Sequence, residues 1–218
     1  MTDFVMDWER QQRTGIAEAV LCEGKSAAQI EAILSHAGAR ALLLTRLDTA
    51  LFDALPAGRR AALDHDPLSR TAYHGTVPVP ALDGVCVVCA GTSDLPVARE
   101  AVRSLAFAGY SAPLVADVGV AGLWRLMQRI DEIRTHSVVI AVAGMEGALF
   151  SVLAGLVAAP VIATPTSVGY GVAAGGQAAL NSALASCAAG LTCVNIDNGY
   201  GAACAALRIL RSMERPAA

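Results

Sequence analysis

"VVIAVAGMEGALFSVLAGLVAAPVIA" (residues 138–163) decides the fold, because it fits either a membrane span or a strand–helix–strand unit. It is long enough to cross a bilayer. However, three glycines and Pro160 interrupt it, and it carries one carboxylate, Glu146. Two short β-branched runs flank a helix-like stretch, and buried parallel strands also form continuous apolar runs. We therefore interpret it as part of a parallel sheet and expect no contact with a membrane.

The same alternation of apolar runs and helix patterns extends over the chain from residue 82 onwards. The predicted strands are GVCVVCA (84–90), APLVAD (112–117), SVVIAVA (137–143), PVIAT (160–164) and LTCVNI (191–196). The predicted helices are LPVAREAVRSLAFAG (95–109), GLWRLMQRIDEI (122–133), ALFSVLAGLVA (148–158), GGQAALNSALASCAAG (175–190) and AACAALRILRSM (202–213). Five strands that alternate with five helices predict an α/β fold, with a central parallel sheet covered on both faces.

Residues 1–80 are more charged and predict a separate small domain, mostly helical or mixed in character. Turn-forming residues in HGTVPVPALDG (74–84) predict a linker, so that the second domain spans 81–218. Ser26 and Gly38 are the expected start and stop of one helix in the first domain. The predicted elements of this domain are a helix, a strand and a second helix: KSAAQIEAILSHAG (25–38), ALLLTRL (41–47) and TALFDAL (49–55).

The composition of the 218-residue chain limits its class. Hydrophobic residues make up 55% and charged residues 16%, against about a quarter charged in typical domains. Little charge remains to cover a monomer, so we expect a homo-oligomer. The net charge of −3 gives no electrostatic basis for binding nucleic acid. The segment MTDFVMDWERQQRTG (1–15) differs from a signal or transit peptide, and we expect a cytoplasmic protein.

The six cysteines lie mostly among apolar neighbours, as expected for reduced core residues. CVVC (86–89) has the spacing of half a zinc or redox site. However, positions i and i+3 of a strand point to opposite faces, and no second pair matches it. We therefore do not expect a metal at this motif.

The loops that follow the five predicted strands are rich in glycine, hydroxyl and acidic residues. Ligands of parallel α/β sheets bind beyond the carboxyl ends of the strands, so these loops predict one common site. The loops are AGTSD (90–94), DVGVAG (117–122), AGMEG (143–147), TPTSVGYGVAAGGQ (164–177) and DNGYGA (197–202).

The loop AGTSD fits a nucleotide phosphate. Gly91 lets a ligand approach the backbone closely, and Thr92 and Ser93 offer hydroxyls at a helix N-terminus, which favours anions. The loop does not match the usual dinucleotide or Walker fingerprints. An N-cap at Ser93 or Asp94 explains the same residues, and a cap is compatible with a site.

Glu146 and Cys187 each have a functional and an ordinary explanation. A carboxylate in a desolvated pocket has a raised pKa and serves as acid or base, but Glu146 also fits a solvent-facing acid in the first helical turn. Cys187 is expected near the end of a helix that stops at Gly190. A helix C-terminus disfavours a thiolate, so from the residues alone a core position explains Cys187 better than a nucleophile.

The chain resembles the LarB family of nickel-pincer nucleotide biosynthesis in motifs that run almost from end to end. They are RTGIAEAVLCEGKSAAQI (13–30), AGTSDLPVA (90–98), DVGVAGLWRL (117–126), AGMEGAL (143–149), PVIATPTSVGYG (160–171), SCAAG (186–190) and VNIDNGYGAA (194–203). The second part also resembles PurE, the aminoimidazole ribonucleotide carboxylase/mutase family. This resemblance implies a three-layer, flavodoxin-like sandwich.

The LarB resemblance implies two reactions on nicotinic acid adenine dinucleotide. Carbon 5 of the pyridinium ring is carboxylated with CO₂, and the phosphoanhydride is hydrolysed to release AMP and pyridinium-3,5-biscarboxylic acid mononucleotide. It also implies Mg²⁺ or a similar divalent ion for hydrolysis, no tightly bound organic cofactor, and an octamer. A PurE-type carboxylase or mutase and a non-catalytic nucleotide-binding module are the alternative functions.

The resemblance also implies roles for individual residues. Cys187 would add to ring carbon 4 as a thiolate, and Glu146 would remove the proton from carbon 5. Trp124, Phe150 and Arg99 depart from the residues expected at these positions, which are His, Pro and an acid. The expected substrate-binding residues are Gly91, Thr92, Ser93, Asp94, Asp117, Gly119, Arg125, Gly144, Met145, Thr166, Ser167, Gly169, Tyr170, Gly171, Asp197 and Asn198.

Overall fold

A computed structural model describes residues 4–213, and the chain divides into two compact units between Val79 and Pro80. The first three residues of the segment 1–15 therefore lie outside the described residues. No helix within the described range is long and apolar enough to cross a membrane. The stretch 138–163 is instead divided between two strands and a helix.

The N-terminal unit contains a four-stranded mixed sheet with the strand order β1-β2-β4-β3. β1 and β2 are parallel, whereas β4 is antiparallel to both β2 and β3. The strands are β1 (Ala19–Leu21), β2 (Leu42–Thr45), β3 (Leu63–Asp66) and β4 (Thr71–His74). The helices are α1 (Arg10–Thr14), α2 (Ala27–Ala37), α3 (Thr49–Asp53) and α4 (Ala57–Ala61).

The described part of this unit contains four helices and four strands, so its character is mixed and not mostly helical. Only β2 was predicted, because β1 is very short and β3 and β4 consist largely of polar residues without a continuous apolar run. The predicted helix start is confirmed: Ser26 and Gln29 form a reciprocal capping box at α2. Ile30, Ile33 and Leu34 on one side of α2 are buried in the core of the unit.

The second unit is a five-stranded parallel sheet with the order β6-β5-β7-β8-β9. The strands are β5 (Val85–Cys89), β6 (Leu114–Val115), β7 (Val138–Ala143), β8 (Val161–Pro165) and β9 (Leu191–Cys193). The helices are α5 (Leu95–Phe107), α6 (Leu123–Ile133), α7 (Ala148–Ala154), α8 (Gln177–Leu184) and α9 (Gly199–Met213).

Two apolar cores lie on the two faces of this sheet and complete a three-layer sandwich. Residues of α5 and α9 pack on one face, and residues of α6, α7 and α8 pack on the other. Cys86 and Cys89 are buried in different cores, as their i and i+3 positions on a strand require. The predicted α/β class with a central parallel sheet is confirmed.

The helix predicted over 175–190 is wrong at its C-terminal end. α8 ends at Leu184, and residues 185–190, which we call the Cys187 turn, connect it to β9. The hydroxyl of Ser186 accepts a hydrogen bond from the amide of Ala188. Such local side-chain to backbone bonds compete with helical ones. Cys187 thus lies outside the helix, and it is exposed.

Candidate active site

A cleft of about 400 Å³ lies at the carboxyl ends of the parallel strands. It is formed by the loops after β5, β6 and β7, together with Val168 from the loop after β8. The predicted site residues that line it are Gly91, Ser93, Asp94, Asp117, Gly119, Arg125, Gly144, Met145 and Glu146. Val120, Ala121 and Val168 also line the cleft but were not predicted, because apolar loop residues carry no chemical signal.

Asp94 connects three of the loops at the base of the cleft. Its side chain is 4% exposed. One carboxylate oxygen accepts a hydrogen bond from Thr166 Oγ1 at 2.6 Å, and the other accepts one from the Gly91 amide at 2.9 Å. Burial raises the pKa of Asp94, whereas the bonds from Thr166, Gly91 and the Gly144 amide oppose that rise. Both carboxylate oxygens of Asp94 thus have hydrogen-bond partners within the protein. Asp94 fixes the loops that follow β5, β7 and β8.

The loops after β7 and β8 approach so closely that only glycine fits at position 144. A Cβ atom there would clash with the Val168 carbonyl oxygen and would lie 2.7 Å from Thr166 Oγ1. The amide of Met145 donates to the same Val168 carbonyl at 2.8 Å. Gly144 therefore has a packing role, which explains why a glycine is needed at this position of the loop.

Three loops at this edge contain a non-glycine residue in the left-handed conformation. The φ angles are 58° at Asp117, 52° at Met145 and 54° at Asp197. Such conformations are uncommon outside glycine, and they cluster at functional sites. Their positions after β6, β7 and β9 favour the carboxyl edge of the sheet as the site.

Arg125 is the cationic side chain among the described residues that line the cleft. It lies in the first turn of α6 and forms an ion pair with Asp117 at 2.6 Å. Both side chains are partly exposed, at 31% and 52%, so the pair is weak and can exchange partners. The guanidinium can therefore bind an anionic group of a ligand through two parallel hydrogen bonds.

Glu146 lines the cleft, and in a single chain it fits the solvent-facing alternative and not the desolvated carboxylate. Glu146 is exposed, whereas Gly144 and Gly147 on either side of it are buried. The left-handed turn at Met145 places Glu146 at the outer corner of the loop, just before α7 begins. Its carboxylate therefore faces solvent at the mouth of the cleft.

The remaining predicted residues do not line the cleft within residues 4–213. Two of them bond to backbone amides instead: Asp197 accepts a hydrogen bond from the Ser167 amide at 2.8 Å, and Asn198 accepts one from the Gly201 amide at the start of α9. Thr92 and Tyr170 are exposed. The full set is Thr92, Thr166, Ser167, Gly169, Tyr170, Gly171, Asp197, Asn198 and Cys187.

Cys187 and Glu146 lie at opposite ends of the parallel strands. Glu146 follows the carboxyl end of β7, whereas Cys187 precedes the start of β9. Ala189 and Gly190 of the Cys187 turn line a small cavity with Pro160 and Val161, where β8 begins. The cleft lies where the parallel strands end. A single chain therefore does not bring its own Cys187 into its own cleft.

Both units match families of known proteins. The family model "AIR carboxylase" matches residues 84–217, and the model "LarB/PurE-like N-terminal domain" matches residues 3–75. The protein named "Uncharacterized protein MJ0165" from Methanocaldococcus jannaschii is 44% identical over 133 residues. That match covers 60% of this chain and 51% of the relative, so the chain spans about half the length of the curated relative that it matches.

A solved structure has a similar fold. The crystal structure of a singly substituted variant of PurE2 from Treponema denticola superposes with a TM-score of 0.51 at 21% identity. The match covers 62% of this chain and 83% of the other. At this identity the similarity shows the fold alone. The two family models together span nearly the whole sequence, and the chain belongs to the LarB family, with a PurE-like second domain.

Proposed function

We propose that this protein carboxylates the pyridinium ring of nicotinic acid adenine dinucleotide at carbon 5 with CO₂. It also hydrolyses the phosphoanhydride, giving pyridinium-3,5-biscarboxylic acid mononucleotide and AMP, the first step of nickel-pincer cofactor biosynthesis. Membership of the LarB family, with an AIR carboxylase domain, supports a carboxylase-like role. The observation that carries the specific proposal is the cleft, which brings Gly91 and Ser93 together with Arg125 and the carboxylate of Glu146.

The chemistry requires a nucleophile, because a pyridinium carbon is too electron-poor to attack CO₂. The Cys187 thiolate forms a bond to ring carbon 4, and the ring nitrogen accepts the electron pair, which leaves carbon 5 enamine-like. Carbon 5 then forms a carbon–carbon bond to CO₂. Glu146 accepts the proton from carbon 5, and the thiolate leaves as the aromatic ring is restored. The net change replaces one ring hydrogen by a carboxylate and releases one proton.

The opposite positions of Glu146 and Cys187 support a site that is shared between copies of the chain. The low charge of the chain also favours a homo-oligomer, and we propose an octamer. In such an assembly, Cys187 of one chain would reach the cleft of another. The exposure of both side chains in a single chain is compatible with this arrangement.

The diphosphate of the substrate is the proposed carrier of a divalent ion. Among residues 4–213, no group of three His, Cys, Asp or Glu side chains is arranged to hold a metal. Mg²⁺ is commonly held by substrate phosphates and one or two carboxylates, and Asp117 supplies a carboxylate at the cleft. When bound, the ion would polarise a phosphoryl oxygen for hydrolysis.

The direct test is incubation with nicotinic acid adenine dinucleotide, labelled bicarbonate and Mg²⁺, followed by mass spectrometry. We expect AMP and a labelled biscarboxylated mononucleotide. Glu146→Gln should lower carboxylation by about 10²- to 10⁴-fold, the usual contribution of a general base. Folded protein that forms neither product would overturn the proposal. AMP release without labelling would leave only the hydrolytic half.

A PurE-type carboxylase or mutase is the second candidate function, because the AIR carboxylase model covers the larger unit. An aminoimidazole ribonucleotide assayed in parallel separates the two functions. Turnover of that substrate with full activity in Cys187→Ala would favour the PurE-type reaction. Dinucleotide binding without any turnover would favour a non-catalytic module.

The shared site has a separate test by subunit complementation. Cys187→Ala and Glu146→Gln chains are each expected to be inactive alone. If one chain supplies the thiol and another the carboxylate, dissociation and reassembly of the mixture should restore part of the activity. A mixture that stays inactive although mixed oligomers form would show that both residues act within one chain.

A further inference from the structure

Ser151 and Ser186 form a side-chain pair that links α7 to the Cys187 turn. Their hydroxyl oxygens lie 2.7 Å apart, and both residues are partly buried. Ser186 Oγ also accepts the amide hydrogen of Ala188 at 3.2 Å. One hydroxyl therefore bonds to the backbone on the far side of Cys187 and to a helix that is 35 positions away in sequence.

The surroundings of Cys187 give this pair its importance. Leu184, Ala185, Ala189 and Gly190 are exposed, as is Cys187 itself. Within a single chain, burial therefore contributes little to holding the turn, and an exposed turn without side-chain bonds would sample several conformations. The Ser151–Ser186 bond is the side-chain hydrogen bond that ties this turn to another element among the described residues.

The helix that carries Ser151 also begins directly after the Glu146 loop. α7 starts at Ala148, so Ser151 lies about 4–5 Å further along the helix axis, at 1.5 Å per residue. α7 thus begins just after Glu146, and its Ser151 side chain bonds to the Cys187 turn. A change in the pair would alter the position of Cys187 without touching the residues that line the cleft.

We propose that Ser151 and Ser186 are positioning residues that hold Cys187 in the orientation needed for attack on the ring. This inference rests on the proposed nucleophilic role of Cys187. Neither serine contacts the reacting atoms, and their effect is on the placement of the thiol. Loss of either hydroxyl breaks the same bond.

The test compares Ser151→Ala, Ser186→Ala and the double variant, with Ser212→Ala as the control. Ser212 is an exposed helical serine whose hydroxyl donates to the Ile209 carbonyl. We expect each single variant to lower kcat for carboxylation about tenfold with an unchanged KM for the dinucleotide, and the double variant to be no worse than Ser186→Ala. Ser151→Thr should retain most activity, and Ser212→Ala should match the wild type.

Two measurements separate positioning from a general structural role. Alkylation of Cys187 by iodoacetamide should keep its wild-type rate, because the thiol remains exposed. Amide hydrogen exchange over residues 186–190 should become at least about tenfold faster in Ser151→Ala and Ser186→Ala. Faster exchange with unchanged kcat would overturn the positioning role, as would additive effects in the double variant.

The exchange measurement also stands apart from the proposed function. If the wild-type protein does not carboxylate the dinucleotide, exchange still shows whether the pair anchors the turn. Unchanged exchange in both variants would overturn the anchor whatever reaction the protein performs.

Discussion

Two buried threonines near the end of β8 differ in their hydrogen bonding. Thr164 and Thr166 are both fully buried. Thr166 donates to Asp94, whereas the Thr164 hydroxyl has no hydrogen-bond partner in the described part of the chain. Thr166→Val should lower the free energy of unfolding by about 1–3 kcal/mol, because the buried carboxylate loses a donor. The matched variant Thr164→Val should be neutral or stabilising. Urea unfolding of both variants checks the contrast, and equal losses would contradict it.

The pH dependence of this effect follows from the pKa of Asp94. Burial raises it above its ordinary value of 3.8, so the contribution of this group to stability is fully present below 3.8 and is lost as pH rises through the raised pKa. The Thr166 bond acts in the opposite direction, since it favours the ionised form. The cost of Thr166→Val should therefore be small in acid and grow as pH rises. A cost independent of pH would show that the bond does not sense the charge of Asp94.

The cysteines should differ sharply in reactivity. Burial raises the pKa of Cys22 and Cys86 to about 12 and that of Cys89 to about 11, so their thiolates are scarce near neutral pH. Cys187 is exposed. Iodoacetamide should modify Cys187 at least about 100-fold faster than these three in the folded protein. Peptide mapping measures the rates, and unfolding in denaturant should remove the difference.

At the scale of elements, the start of α9 packs against α5 without room for a side chain. A Cβ atom at Gly199 would clash with the Val97 carbonyl oxygen and lie 3.0 Å from the Ala101 amide nitrogen. Gly199→Ala should therefore destabilise the protein by about 1–3 kcal/mol through overpacking. Gly155→Ala is the matched control, since its Cβ would meet neighbours only at 3.5 Å. Chemical unfolding of both variants tests the prediction, and a neutral Gly199→Ala would refute it.

Elements formed by continuous apolar runs could be predicted from the sequence, whereas short polar elements could not. β5, β7 and β8 are buried apolar runs and were found. β3 and β4, by contrast, are stabilised by pairing with each other, which no local pattern reveals. The C-terminal end of α8 was missed for a similar reason. Alanine-rich sequence continues past Leu184, but Ser186 bonds to the backbone of its own turn.

The location of the candidate site, at the carboxyl ends of the strands, could be predicted from the sequence, but the contacts between its residues could not. Loop composition identified the carboxyl ends of the strands, where the cleft lies. Composition could not show that Asp94 bonds to other loops, since its partner Thr166 is 72 positions away. The exposure of Glu146 depends on the left-handed backbone of Met145, a conformation that methionine rarely adopts and that its identity does not indicate.

At the scale of the whole molecule, the proposed assembly predicts a mass well above that of one chain. Two features favour an assembly. α6 leaves three apolar side chains exposed, and charged residues are only 16% of the sequence. The exposed side chains are those of Leu123, Trp124 and Met127. Light scattering after size-exclusion chromatography should give a multiple of 22.3 kDa, and we expect eight copies. A monomer at assay concentration would exclude a site shared between copies, and with it the proposed route of Cys187 to the ring.

The strand order also has a consequence for synthesis on the ribosome. β5 lies between β6 and β7, and every residue of β5 pairs with β7. β7 emerges about fifty residues after β5, which is roughly 3–10 s at usual elongation rates. During that interval, the wholly apolar strand VCVVC has no neighbour on that side. Slow elongation between the two strands would therefore extend the time in which a nascent chain can aggregate, and chaperone capture is expected to be strongest within this window.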